Sequence, residues 1–211
     1  MKNILCFGDS NTWGYNPVNK LQFPEGIRWT SLLQSKLEKK SINILEEGLC
    51  GRTTIYEDAS RPDRKGIDSL PGIFNKYDQI DSVILMLGTN DCKAYNHSSP
   101  ESIALGIDRC LELITRYVPA DKVILVSPIV LGEDVWKDEF DPEFDVNSVR
   151  VSKGLRNAYA KVARKRGVHF IAASDYVQPS EEDQEHMNVK GHRVLASVLN
   201  NYINDNLKGV A

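Results

Sequence analysis

Four short stretches of this chain carry residue types that could together perform acyl transfer. Ser10 sits in Gly8-Asp9-Ser10-Asn11, directly after the apolar run Ile4-Leu5-Cys6-Phe7. Gly51 lies in Gly48-Leu49-Cys50-Gly51-Arg52-Thr53-Thr54 and Asn90 in Gly88-Thr89-Asn90-Asp91; His186 follows Asp183 by three residues. A serine attacking a carbonyl must lose its proton to a base, and imidazole titrates in the right range. A carboxylate on that imidazole fixes its tautomer and stabilises its charged form, the role assigned to Asp183. The developing oxyanion needs donors, supplied by the N–H groups of Ser10 and Gly51 and the Asn90 side-chain amide. The order Ser, Asp, His occurs without any G-x-S-x-G, so that particular nucleophile elbow is excluded. Asp and His at this spacing meet only through a turn or one helical turn.

These residues need elements that bring them to one place. Strand-like apolar runs at 3–7, 42–45, 82–87, 122–127 and 168–172 alternate with helical patterns. Trp29, Leu32, Leu33 and Leu37 share one helical face. Ile103, Ile107, Leu111 and Ile114 share another, opened by Ser99 as N-cap and Pro100 at the first position. Val151, Leu155, Tyr159 and Val162 mark a helix ended by Gly167. Leu195, Val198, Leu199 and Tyr202 mark the last, with Asn188 as N-cap; 67–74 is a shorter helix. Alternation of this kind predicts an α/β fold, a three-layer α/β/α sandwich on a five-stranded parallel sheet, flavodoxin-like. With no repeat, linker or low-complexity tract, residues 1–211 read as one domain.

Loop lengths point to one edge of that sheet. The helix-to-strand connection 117–121 is short, whereas the loops leaving strands, 8–27, 48–66, 88–98, 128–145 and 173–187, are long. Ligands bind at the carboxyl edge of such sheets. Gly8 is expected to bend the backbone there and leave room for a substrate to reach Ser10.

Composition narrows the class. The 211 residues are 41% hydrophobic and 26% charged, with net charge −3 and no basic block, which argues against nucleic acid. The four cysteines, Cys6, Cys50, Cys92 and Cys110, form no C-x-x-C pair or metal-ligand spacing and read as reduced thiols. The apolar run before Asp9 is too short for a signal-peptide core, and no stretch approaches a membrane span. A cytoplasmic protein with no membrane contact, no metal and no cofactor is expected.

Each residue has a plainer reading. Ser10 alone would be a turn residue, Gly51 a positive-φ turn glycine that leaves Gly48 as the alternative, and Asn90 a turn former. Asp91 is expected to bond local backbone. His192 competes with His186 but lacks an upstream carboxylate at the same spacing and reads as structural; Asp175 is the rival to Asp183. His97 and His169 read as solvent or strand-edge histidines. Trp13 is a candidate for lining the acyl or alcohol pocket. Segment 133–145, acidic with Val135, Trp136, Phe140 and Phe144, reads as a lid or subunit contact; a calcium loop lacks its D-x-D-x-D-G pattern. Arg61, Arg64 and Lys65 read as a solvated charge cluster, with steering of an anionic substrate as the alternative.

The four blocks resemble those of the SGNH hydrolases, the GDSL-type esterases and lipases, in order and over nearly the whole chain. Gly8-Asp9-Ser10-Asn11 matches the nucleophile block with Asn11 for the commoner leucine, Gly51 the second, Gly88-Thr89-Asn90-Asp91 the third and Asp183-x-x-His186 the last. Residues 7–15, 61–66 and 85–93 are similar to the arylesterase and acyltransferase branch. Met187 stands where proline often follows the histidine, which alters the loop rather than the chemistry. The resemblance implies a serine esterase of short-chain, acetyl-type carboxylic esters with an acyl-enzyme intermediate, acting on a small-molecule ester as a homo-oligomer. Acyl transfer to an alcohol or peroxide, and deacetylation of carbohydrate esters, would use the same residues; an inert flavodoxin-like binding module is the reading from another class.

Overall fold

The computed structural model describes residues 2–38 and 41–207. Five parallel strands, β1 (Lys2–Gly8), β2 (Ile42–Gly48), β3 (Ser82–Met86), β4 (Val123–Ser127) and β5 (His169–Ala172), lie in the order β2-β1-β3-β4-β5. Side chains alternate across a strand, so a sheet buried on both faces needs apolar residues at successive positions. The central strands satisfy this: Leu5, Phe7, Val83, Leu85, Val123 and Leu125 enter one core. Ile4, Cys6, Ile84, Met86, Ile124 and Val126 enter the other. Helices α3 (Gly66–Lys76), α4 (Pro100–Ile114) and α5 (Val146–Arg166) cover the first face. Helices α2 (Trp29–Leu37) and α6 (Val189–Asn206) cover the second, giving the three-layer α/β sandwich.

Local chemistry sets the helix ends. Ser99 caps α4 through a reciprocal box with Ser102, with Pro100 at the first turn. Asp145 caps α5 through Ser148, and Gly167, at φ 68°, closes it. Two elements exceed their apolar patterns. Strand β2 runs on to Gly48 because its ladder to β1 is made by backbone, while Glu46 and Glu47 on this edge strand meet Arg28 and Tyr77 at 2.8 and 2.6 Å. Helix α3 reaches Lys76 with Pro71 inside it.

Strand order reverses between β1 and β3, the switch point at which crevices open in such sheets. Gly8 pairs in register with both Gly48 and Met86, so the loops after β1, β2 and β3 leave the sheet at one level.

Candidate active site

Ser10 opens a one-turn helix, α1 (Ser10–Trp13), that starts as β1 ends. Asp9 caps it, its Oδ1 accepting the Asn11 N–H at 2.9 Å, and Gly14, at φ 87°, ends it. A Cβ on Gly48 would strike the Trp13 backbone nitrogen, and one on Gly8 would strike Thr12 Oγ1 and the Met86 carbonyl. The space beside Gly8 is therefore filled by packing beneath the turn rather than left for substrate, contrary to the sequence expectation.

The last loop brings His186 to Ser10. His186 Nε2 lies 2.8 Å from Ser10 Oγ across 176 residues, and Nδ1 lies 2.7 Å from Asp183 Oδ2. Asp183 Oδ1 accepts the N–H groups of Glu185 and His186 at 3.0 and 2.9 Å, which orients the carboxylate. Gln184, at φ 63°, lets the turn close, and its carbonyl takes the Gly132 N–H at 2.7 Å. Asp175 lies elsewhere, paired with Arg156 at 2.7 and 2.8 Å. His192 is fully buried, its Nδ1 taking the Trp29 N–H at 3.2 Å; burial and nearby cations push it down to about 4. It stays neutral and packs α6 on α2. His169 holds Tyr202 Oη and the Asp121 carbonyl from β5, and His97 is exposed.

A cleft of about 170 Å³ opens over Ser10 and His186, lined also by Tyr15, Gly51, Asn90, Lys93, Asp141 and Glu185. It is smaller than the roughly 300–1,000 Å³ that hold drug-sized ligands. Gly51, at φ 81°, needs the left-handed region that glycine adopts freely. Among the described residues neither the Ser10 nor the Gly51 N–H is taken by a protein acceptor. The Asn90 amide donates to the Arg52 carbonyl at 3.2 Å. Gly48 supports the α1 backbone instead. Trp13 is not part of the cleft lining; Tyr15 is, with its ring beside that of His186 at a centroid distance of 4.3 Å and tilted by 33°.

The electrostatics suit an imidazole base. Burial opposes charge on His186, but the carboxylates of Glu185, Asp183 and Asp9 outweigh it, and the net direction is upward from 6.5. Asp183 is held below the usual carboxylate range: burial opposes this, and its bonds and charge contact with His186 prevail. Asp9 is pushed up to about 7 by burial, against the pull of the Asn11 N–H. The Cys50 thiol, also in the cleft, is pushed up to about 11 by burial and by Asp9, so it stays protonated near neutral pH. Among the described residues no group of three His, Cys, Asp or Glu side chains is placed to hold a metal.

Two other loops shape the walls. Asp91 reaches beyond its own turn: its fully buried carboxylate takes the Thr54 N–H at 3.0 and 3.1 Å and the Thr54 hydroxyl at 2.5 Å, tying the loop after β3 to the loop after β2. Segment 133–145 sends Val135 and Phe144 into the core shared by α3, α4 and α5 and leaves Trp136 exposed. Its Glu143 binds Lys93 and, at 2.5 Å, Arg61, which also holds Asp58 at 2.8 Å. Arg64 takes the Cys50 carbonyl and Lys65 pairs with Glu57 and Asp68. The sequence reading had no role for Tyr15, Lys93, Asp141 or Glu185. For Glu185 a signal existed in its place directly before His186; for the others only the folded loops show it.

Residues 6–194 match the model of the GDSL-like Lipase/Acylhydrolase family. The chain is 27% identical over 190 residues to the isoamyl acetate-hydrolyzing esterase 1 homolog of Mus musculus, covering 85% of this chain and 70% of that protein. It resembles the solved aryl esterase of M. smegmatis at 31% identity, with TM-score 0.88 and coverage of 98% and 100% of the two chains. A carbohydrate acetylesterase from Sinorhizobium meliloti is also 31% identical, with TM-score 0.88 and coverage of 97% and 99%. The sheet, its loops and this match over most of the length agree: the chain belongs to the GDSL-like lipase/acylhydrolase family and is a carboxylic ester hydrolase.

Proposed function

We propose that the protein hydrolyses short-chain, acetyl-type esters through a serine acyl-enzyme. The observation that carries this reading is the Ser10–His186–Asp183 chain of 2.8 and 2.7 Å contacts, set in a cleft of about 170 Å³. His186 Nε2 takes the Ser10 proton as Oγ bonds to the ester carbonyl carbon. The N–H groups of Ser10 and Gly51 and the Asn90 amide receive the oxyanion. Collapse breaks the bond to the alcohol oxygen, which leaves with the proton from His186. Water, deprotonated by the same nitrogen, then attacks the acyl-serine, releasing the acid and restoring the Ser10 hydroxyl. Asp183 holds the imidazole throughout.

A second reading, deacetylation of carbohydrate esters, draws support from the polar lining of the cleft, where Asn90, Lys93, Asp141 and Glu185 stand. Acyl transfer would use the same intermediate with an alcohol in place of water.

The test is hydrolysis of p-nitrophenyl esters from acetate to octanoate by wild type and Ser10→Ala. Turnover should be highest on acetate and fall by about 10⁶ in the variant. Equal rates in both proteins, or failure of a fluorophosphonate to label Ser10, would sink the mechanism. Glucose pentaacetate assayed alongside separates the second reading.

A further inference from the structure

Glu185 is the one residue of the Asp183-Gln184-Glu185-His186 turn that faces the cleft without a part in the reaction as derived. It is 7% exposed, and it lines the wall beside His186. Its Oε2 is 3.7 Å from His186 Nδ1, too far for a hydrogen bond, and that nitrogen is already held by Asp183 at 2.7 Å. Among the described residues no N–H or O–H donates to this carboxyl. A nine-tenths buried carboxylate without a donor is costly unless something in the cleft meets it.

The other charges of the lining sharpen the asymmetry. Arg61 and Lys93 are positive, but both converge on Glu143, and Arg61 is further held by Asp58. Asp141 is negative; it accepts the Glu143 N–H at 2.9 Å and, among the described residues, pairs with no cation. The positive side chains are thus neutralised in place, and the negative ones are open to a ligand. Tyr15 adds an aromatic ring to the same lining, a surface that quaternary ammonium groups favour.

We propose that Glu185 sets the charge preference of the reaction: its carboxylate, next to the base that protonates the departing alcohol, favours esters whose alcohol carries a cationic group and disfavours those whose alcohol carries an anion. This rests on the serine-esterase reading above. Burial pushes the Glu185 carboxyl up, His186 and Lys93 pull it down, and Asp141 and Asp183 push it up. A cation arriving in the cleft stabilises its ionised form.

The experiment compares kcat/KM for acetylcholine with that for 3,3-dimethylbutyl acetate, its neutral isostere, and for the anionic 3-acetoxypropanoate. It is run at about pH 8, above the ordinary carboxyl range, beside p-nitrophenyl acetate. Wild type should favour the cation over the isostere by about tenfold and the isostere over the anion by a similar factor, with both ratios narrowing as salt rises. In Glu185→Gln both ratios should fall toward one; a ratio within one protein cancels any general loss of activity. Equal rates on the three esters in wild type, or ratios unchanged in the variant, overturn the proposal and leave the esterase standing. Turnover of p-nitrophenyl acetate without turnover of acetylcholine also overturns it. If Glu185→Gln does not fold, Glu185→Ala and Glu185→Asp are compared on the same ratios, the first expected to lose the preference and the second to keep it. If no ester, p-nitrophenyl acetate included, is hydrolysed by a Ser10-dependent route, the esterase reading itself falls.

Discussion

Asn11, the residue after Ser10, holds Met187, the residue after His186: its buried Oδ1 accepts the Met187 N–H at 2.9 Å. The Asn11 carbonyl in turn accepts the Trp29 indole N–H at 3.0 Å. The Ser10 turn and the His186 turn are thus joined beneath the Ser10–His186 contact.

Replacing Asn11 with Ala leaves a buried N–H unpaired, at a cost of about 1–3 kcal/mol, and frees the His186 turn. Asn11→Ala should lower thermal stability and reduce kcat by at least about tenfold, with little change in KM. A kcat equal to wild type in a folded protein would show that the strut does not set the Ser10–His186 distance.

The Asn90 amide already points into the loop junction through its bond to the Arg52 carbonyl. Asn90→Ala should lower kcat by about 10²–10³ with KM nearly unchanged, as for loss of one oxyanion donor. A loss confined to KM would move Asn90 from the transition state to simple binding.

The proposed mechanism needs His186 neutral, and its folded value lies above the ordinary 6.5 because the Glu185 and Asp183 carboxylates overcome burial. Activity should therefore rise with pH through a midpoint above about 6.5. A raised histidine adds stability that is full below its unfolded value and is lost as pH rises through the folded one. Stability from His186 and activity thus run in opposite directions. A kcat/KM profile flat across this range would remove His186 as the base.

Asp9 is fully buried and raised to about 7, with Oδ2 unpartnered among the described residues. Its folded form binds a proton that the unfolded form, near 3.9, has released. Stability from this group is present at acid pH and is lost as pH climbs from about 4 to 7, by something on the order of 4 kcal/mol. Asp9→Asn keeps an oxygen for the Asn11 N–H and removes the charge. Denaturant melts of the variant should show a shallower fall across that window than wild type; parallel curves would refute the assignment.

The α1 backbone rests on Gly48, where a Cβ would meet the Trp13 nitrogen and the Thr12 carbonyl carbon. These are backbone atoms with no rotamer to yield. Gly48→Ala should destabilise by about 1–3 kcal/mol and cut kcat, by moving Ser10. Wild-type turnover in Gly48→Ala would mean that α1 shifts as a rigid unit without cost to the site.

Much of this protein was legible in its sequence because the relevant physics is local. Alternating apolar strands and periodic helices specify which faces are buried, and caps such as Ser99 and Gly167 specify where helices stop. Ser10, Gly51, Asn90, Asp183 and His186 stood out by residue type and by their place after strands, and the structure brings all five to one edge of the sheet. Direction and pairing were another matter. Gly14 in the left-handed region swings the chain so that Tyr15, not Trp13, reaches His186, and residue types alone do not encode that angle. Asp91 turned out to clamp Thr54 across 37 residues, where proximity in sequence suggested a local turn. The open carboxylate of Glu185 and the neutralised Arg61 and Lys93 were decided by tertiary structure alone. A charge counts at a site only after its partners are known, and those partners come from loops that meet in space and nowhere in sequence.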